Sequence, residues 1–361
     1  MKTNTPKFTV GICSSEREAY LEEAVSSVIL QNYDGFIEVI IADDNSKSFS
    51  PNQLALRLKN KYSSLKNFTI KVVQPEINKD SFDQQFSGKF GEAAMRNLVI
   101  NFATAEFIIW VDDDDILLPE ALKTYEEHIN SKPDSDIFYP NLYRTNELLE
   151  IEREYQYRVV PRNLIIPSLL MGSIFPNGGS CIKKKVFEKV GLYDTTFEVA
   201  TDYHFWAKAA LNGTKFEHIP VGLYLYRSHA SNAALDKEDE RFFKNNGRVI
   251  ELILRNSSPE STFPFFEWKN DPGLADFQVL IACLILSERN REIELSSRCL
   301  QMLSQESYKK YKSDNNFHQI IEAIKSNAPL SFDSTAQLLA AVIQAGTRYS
   351  ENSTKNAENH A

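Results

Sequence analysis

The chain has little of what would send it to a membrane, an oxidising compartment or a nucleic acid. Its longest apolar stretch, residues 279–286, falls far short of the ~20 residues a membrane-spanning helix needs. Residues 1–7 are polar and lack the apolar core of a signal peptide. The four cysteines, Cys13, Cys181, Cys283 and Cys299, are scattered, with neither paired nor metal-type spacing. They read as reduced core thiols of a cytosolic protein, in which the acceptor patterns at Asn67 and Asn212 stay unused. Basic excess is lacking as well. Forty Lys and Arg stand against 49 Asp and Glu, a net charge of -9, which argues against a nucleic-acid partner.

What is present is an ordinary globular balance, 42% hydrophobic and 25% charged, in 361 residues, enough for one large domain and an appendage or for two domains. Residues 8–13 read as a buried strand ending in the polar turn Ser14-Ser15-Glu16-Arg17. Tyr20, Leu21, Ala24, Val25, Val28 and Ile29 follow at helical spacing. A second apolar run, 38–42, ends in Asp43-Asp44-Asn45-Ser46. A helix near 53–62, a strand over 68–73, a polar loop over 76–89 and a helix over 91–102 come next. The strand over 106–111 ends in Asp112-Asp113-Asp114-Asp115. This alternation predicts a parallel α/β sheet, and ligands of such sheets sit at the carboxyl ends of the strands.

Downstream, Pro176-Asn177-Gly178-Gly179-Ser180 reads as a flexible turn, 183–190 as a short helix, and a further helix begins near Thr201. Beyond Leu235 the pattern turns helical, with segments over 237–255, 275–288, 295–312, 318–326 and 334–345. The expected division is a domain over 1–235, a helical extension over 236–349, and a disordered polar tail over 350–361.

Four adjacent carboxylates repel one another unless a cation neutralises them. Oxygen-rich clusters suit Mg²⁺ or Mn²⁺, which bridge carboxylates and phosphates. The plainer reading is a solvated turn capping the helix that starts near Pro119. Position at a strand end favours the metal. Asp43-Asp44 is either a local turn or an acceptor for the N3–H of a uracil base. Arg96 is an exposed helical arginine or a contact to a base or diphosphate. Asp202 is a helix cap or a general base for an attacking hydroxyl. His204 reads as a structural histidine, and His229 as a surface residue or a nitrogen ligand to a metal.

Taken together, these segments resemble the family 2 glycosyltransferases of GT-A fold. The resemblance rests on residues 8–46 and on Gly91-Glu92-Ala93-Ala94-Met95-Arg96-Asn97, similar to that family's GxxxARN helix. It rests also on Asp112-Asp113-Asp114-Asp115-Ile116-Leu117-Leu118-Pro119, similar to DxDDxxxP, and on Val190-Gly191-Leu192-Tyr193-Asp194, similar to VGxFDE. Thr201-Asp202-Tyr203-His204-Phe205-Trp206 stands in the place of EDYDLW, and Tyr226-Arg227-Ser228-His229 in that of YRxH. The matches span about residues 7–235. Cys13, Ser15 and Thr201 depart from the family pattern, and neither QxxRW nor membrane helices are found, which points to a non-processive enzyme.

The resemblance implies a Rossmann-like mixed sheet with a C-terminal helical extension. It also implies an inverting, metal-dependent hexosyltransferase acting on a UDP-sugar or another nucleotide sugar. Ser14 and Glu16 would line the nucleotide, Asp44 would meet uracil, and Arg96 the base or phosphates. Asp113 or Asp112 would face the sugar, Asp114 and His229 would hold Mn²⁺ or Mg²⁺, and Asp202 would be the base. The acceptor would be a saccharide or lipid-linked saccharide in bacterial polysaccharide or glycoconjugate assembly. The expected setting is the cytoplasm, with room for peripheral contact at the inner membrane face and for a homo-oligomer. The other readings are a sugar nucleotidyltransferase and an inactive nucleotide-sugar-binding protein. The first lacks its glycine- and lysine-rich phosphate loop over residues 14–18.

Overall fold

Unbroken apolar runs predict strands buried on both faces, and these form the centre of the structure. A computed structural model describes residues 7–75, 90–229, 240–326 and 330–358. The loop expected over 76–89 lies outside these described residues. The chain opens with β1 (Phe8–Ser14), α1 (Glu18–Ile29), β2 (Ile37–Asp43), α2 (Pro51–Lys61) and β3 (Phe68–Val73), then α3 (Glu92–Phe102) and β4 (Phe107–Asp112). β2 is buried along its whole length, as a strand covered by helices on both sides must be. α1 packs through Leu21, Ala24, Val25, Val28 and Ile29, one stripe at the 3.6-residue period. The Ser50 hydroxyl accepts the Gln53 amide and Pro51 takes the first position, which starts α2.

The chain continues with β5 (Ile116–Leu117), α4 (Ala121–Ser131), β6 (Ile137–Thr145), β7 (Ile151–Tyr155) and α5 (Ile165–Leu169). β8 (Cys181–Lys183), α6 (Lys184–Val190), α7 (Thr201–Leu211) and β9 (Phe216–Arg227) follow. The strands form one mixed sheet in the order β3-β2-β1-β4-β8-β6-β9-β5, with β7 paired to β6. Pairing is parallel from β3 to β4 and antiparallel from β4 to β8. The chain runs outward from β1 to β2 and β3 and then returns to β4 on the other side of β1. That reversal opens a crevice at the strands' carboxyl ends.

The chain separates into two compact units, residues Met1–Val160 with Ser173–Asp236, and Pro161–Gly172 with Lys237–Ala361. Residues 161–172, which the sequence places with the first domain, belong to the second. There the Arg289 guanidinium donates to the Met171 carbonyl at 2.8 Å.

The second unit contains α8 (Glu240–Asn256), α9 (Pro259–Thr262), α10 (Pro272–Arg289), α11 (Ile293–Leu303), α12 (Lys309–Lys312), α13 (Asn315–Ser326) and α14 (Phe332–Glu358). α10 starts at an Asp271 cap followed by Pro272. Its Phe277 meets the ring of Phe317 edge-on at 5.1 Å. The helix expected over 295–312 is broken: α11 ends at Leu303, and a short 3₁₀ turn, Glu306–Tyr308, precedes α12. The tail expected to be disordered from Ser350 continues α14 to Glu358. No glycine or proline interrupts residues 350–358, and extending an existing helix avoids the nucleation cost.

The turn at residues 176–180 is not loose. The Gly179 amide donates to the Trp110 carbonyl at 2.8 Å, and the Tyr125 hydroxyl donates to the Gly179 carbonyl. Gly178 lies so close beneath the Tyr224 ring that a Cβ there would be 2.5 Å from it.

Gly11 is the tightest point of the central sheet, because a Cβ would lie 2.6 Å from Val99 Cγ1 and 2.7 Å from the Trp110 ring. Gly11→Ala is expected to lower unfolding stability by about 1–3 kcal/mol through overpacking. A urea titration beside the parent chain measures it, and an unchanged midpoint would refute the close approach.

Candidate active site

Strand register decides which loops meet. Ser14 pairs with Asp43 across β1 and β2, and Cys13 pairs with Asp112 across β1 and β4. The three polar strand ends therefore stand side by side, around a cleft of about 590 Å³. Ser14, Asp44, Arg96, Asp112, Asp113, Asp114 and Asp202 all line it. Glu16 and His229 do not.

The acidic run does not cap the next helix. α4 begins at Ala121 behind Glu120, with no side-chain cap. Asp113, Asp114 and Asp115 are instead buried, each with a partner from elsewhere. Asp113 accepts the Ser15 amide and the Arg17 guanidinium, both at 3.2 Å. Asp114 pairs with Arg17 and lies 2.9 Å from His229 Nε2. Asp115 accepts the Arg227 amide at 2.8 Å.

The Arg227 side chain donates to the Asp114 carbonyl at 2.8 Å and to the Glu147 carbonyl at 3.0 Å, and it pairs with Glu23. It thereby locks the end of β9 to the acidic turn and brings His229 to Asp114. The His229 ring stacks on Tyr20 at 5.3 Å. Behind the run, Gln31 donates to the carbonyls of Leu117 and Leu118 and accepts the Leu122 amide, which holds the turn into α4.

Burial raises the proton affinity of Asp112, Asp113 and Asp115. Asp112 is pushed up to about 7 by burial, with Arg96 opposing and Glu92, Asp114 and Asp113 adding repulsion. Asp113 rises to about 6 for the same leading reason, against Arg17. Asp115 is raised well above the carboxylate range by burial and then by Asp112 and Asp114.

Asp44 accepts the amides of Phe90 at 2.7 Å and Gly91 at 3.0 Å, so it joins the end of β2 to the start of α3. Glu16, at a positive φ of 62°, turns away from the cleft. Its carboxylate takes the amides of Lys47 and Ser48, both at 2.9 Å, and staples two loops together.

Arg96 is buried rather than exposed. It donates to Thr201 Oγ1 at 3.0 Å, pairs with Glu92, and lies 3.9 Å from Asp112. Asp202 is the second residue of α7, not its cap, which is Ala200 in left-handed backbone at φ 59°. Burial raises the Asp202 carboxyl, Arg96 lowers it, and Glu92 raises it again. His204 is buried and stacks on Phe197 at 4.2 Å, the structural role expected of it.

A model of the family described as "Glycosyltransferase like family 2" matches residues 9–253. The chain belongs to this family. An uncharacterized glycosyltransferase of Methanocaldococcus jannaschii is 25% identical over 213 residues, 59% of this chain and 67% of that protein. The poly(ribitol-phosphate) beta-N-acetylglucosaminyltransferase TarS of Staphylococcus aureus is 25% identical over 283 residues. That match covers 75% of this chain and only 43% of TarS. Among solved structures, S. aureus TarS 1–349 in complex with UDP-GlcNAc superposes with a TM-score of 0.54 at 17% identity, covering 96% of this chain and 92% of that one. A mannosyltransferase of Pyrobaculum calidifontis, solved with GDP-Man and Mn²⁺, gives 0.50 at 14% identity, covering 96% and 88%. The glycosyltransferase has the GT-A fold, with helices following it in the chain.

The sequence reading missed several residues of this glycosyltransferase's cleft. Arg17 read only as the end of a turn, yet it holds Asp113 and Asp114. Glu92, Asn177, Glu198 and Tyr226 also line the cleft. No local pattern marks Asn177 or Glu198. The i,i+4 spacing of Glu92 and Arg96 was a readable signal for that pair.

The raised carboxyls set a stability trend. A group whose folded-state pKa lies above its unfolded value contributes stability below the unfolded value and loses it as pH rises through the folded one. In metal-free buffer the melting temperature should therefore fall as pH climbs from about 4 to about 7. Asp112→Asn should flatten that fall by a few degrees, an effect tempered by water because its side chain is 35% exposed. Scanning calorimetry across this range is the check, and equal slopes in both proteins would contradict it.

Proposed function

We propose that the chain moves a sugar from a nucleotide-sugar donor, a UDP-sugar foremost, to an acceptor hydroxyl with inversion at the anomeric carbon. The meeting of Asp44, the acidic run and Asp202 in one cleft supports this most. Ser14 and Asp44 stand at the β1 and β2 ends, where the nucleotide would lie. Asp44 already accepts two amides, but a carboxylate has lone pairs left for a base N–H. Glu16 supports this end by holding residues 46–48. Asp112 is more exposed to the cleft than Asp113, which Arg17 and Ser15 engage, so Asp112 is the better placed to face the sugar.

Asp114 and His229 are the residues we place at a divalent cation, which would take the position Arg17 now holds at Asp114. Asp114 Oδ2 and His229 Nε2 converge at 2.9 Å. Among the described residues no group of three or more His, Cys, Asp or Glu side chains is arranged to hold a metal. One or two protein ligands supplemented by diphosphate oxygens is the usual arrangement for Mg²⁺ or Mn²⁺ at such sites. Held by Asp114 and His229, the ion would offset the charge gathering on the departing diphosphate.

Asp202 takes the proton of the acceptor hydroxyl as the oxygen bonds to the anomeric carbon. The bond from that carbon to the phosphate oxygen breaks, and its electron pair leaves with the nucleoside diphosphate. The acceptor we infer is a saccharide or lipid-linked saccharide in polysaccharide or glycoconjugate assembly, at the cytoplasmic side. Among the described residues no helix is long and apolar enough to cross a membrane.

A thermal-shift series with UDP, UDP-sugars and GDP-mannose, with and without Mn²⁺, tests the donor reading, since a ligand of the native state raises its melting temperature. Asp114→Ala should lose the Mn²⁺-dependent part of the shift. Asp202→Asn should keep it while turnover drops about 10²-fold or more. Full turnover in that variant would remove Asp202 as the base. In the parent enzyme kcat/KM should decline toward acid at a pH above the ordinary carboxylate value of 3.8, because the base must be deprotonated and its affinity for the proton is raised. A decline centred at or below that value would contradict the burial argument.

A further inference from the structure

α3 and α7 are joined at the cleft by one cluster, in which Arg96 and Thr201 are buried and Glu92 is half-exposed. The Arg96 guanidinium, only 3% exposed, lies between two partners. On one side Nη1 donates to Thr201 Oγ1 at 3.0 Å; on the other Nη2 pairs with Glu92. The Thr201 hydroxyl also reaches Glu92 Oε2 at 3.4 Å, which closes the triangle. Arg96 Cζ lies 5.3 Å from the ring centre of Tyr193 and 5.8 Å from that of Trp110, so the guanidinium has aromatic neighbours as well as polar ones. Glu92 is the first residue of α3, directly after Gly91, whose φ of 83° sets the entry of the helix. Thr201 is the first residue of α7, directly after left-handed Ala200. Each end of the clamp is thus the first residue of a helix, beside a backbone conformation that fixes the helix entry. Asp202 is next in line.

From this geometry we infer that Glu92 is a positioning residue for Asp202, acting through Arg96 and Thr201. The inference rests on the reading of Asp202 as the base. Removing the Glu92 charge leaves the buried Arg96 cation less compensated, so it bears more strongly on Asp112, 3.9 Å away, and on Asp202, whose proton affinity it already lowers. Arg96 cannot shed its proton, so that cation persists. Two consequences follow. The start of α7 loses one of its tethers, and Asp202 faces a stronger net positive charge. The groups that bear on Asp202 are Arg96 and Glu92 from α3, Tyr193 after α6, and Tyr157 after β7. Asp112 and Glu198 share its cleft. Of these, Arg96 lowers and Glu92 raises its proton affinity, so Glu92→Gln moves the base in a single direction.

The test is the pH dependence of nucleotide release from UDP-glucose, UDP-galactose, UDP-GlcNAc and GDP-mannose with Mn²⁺, using the donor turned over fastest, together with UDP binding by calorimetry. In Glu92→Gln the acid limb of kcat/KM should move to lower pH by about half a unit or more. kcat should fall several-fold while UDP affinity stays within about twofold. Thr201→Val should lower kcat, and Thr201→Ser, which keeps the hydroxyl, should restore it. Melting temperatures identify any variant that fails to fold, and the Thr201 pair then carries the decision. An unmoved acid limb in folded Glu92→Gln overturns the inference, as does Thr201→Val with parental kcat. Loss of UDP affinity in step with kcat would instead make Glu92 a donor-binding residue, which also overturns it. If Asp202→Asn is fully active, or the parent releases nucleotide from none of the four donors, the base reading has failed. If Asp202→Asn is inactive and Glu92→Gln is unshifted, only the positioning role has failed.

Discussion

The four carboxylates of residues 112–115 repel one another, and burying three of them at a strand end raises that cost. The structure meets it with donors drawn from distant segments. Arg17 comes from the turn after β1, the Ser15 amide from the same turn, and the Arg227 amide and His229 from the end of β9. Because each donor arrives on a different element, neutralising the acidic turn also fixes where those elements end. The cleft is in this sense a consequence of an electrostatic problem solved at one edge of the sheet.

Much of that edge is read more easily than it is derived. The apolar runs of β1, β2 and β4 predict strands, and the polar residues after each predict loops at one end. Parallel pairing then brings those ends together, because parallel strands place all their carboxyl termini on the same side. That is why Ser14, Asp44, Asp112, Asp113 and Asp114 line one cleft, whereas Arg96 and Asp202, singled out by the family resemblance, reach it from α3 and α7. Glu16 illustrates where the reasoning stops. It lies on the right loop, but a positive φ sends its carboxylate to residues 47 and 48.

Arg96 shows the other kind of limit. Helical spacing made it a surface arginine with an open choice of ligand. It is buried against Thr201 and two aromatic rings, with the half-exposed Glu92 as its ion-pair partner. Burial by itself would lower its proton affinity; Glu92, Tyr193 and Asp112 more than reverse this. The residue therefore acts on the cleft from within the wall. The α10 helix of the second unit makes the same point about packing. Gln278 donates to the Val342 carbonyl at 3.0 Å, and Gly346 is the close approach that permits it, since a Cβ there would lie 2.1 Å from the Gln278 amide.

The sequence by itself determined the strand–helix alternation, the side of the sheet on which polar residues collect, and the existence of an acidic turn. Those follow from local periodicity and from burial, which act along a few residues at a time. Only the tertiary structure decided that the acidic run is no helix cap, that His229 stands behind Asp114, and that Arg17 bridges Asp113 and Asp114. It also decided that residues 161–172 join the helical unit and that the turn at 176–180 is packed beneath Tyr224. Each of these depends on contacts between residues tens to hundreds of positions apart, which no local pattern encodes.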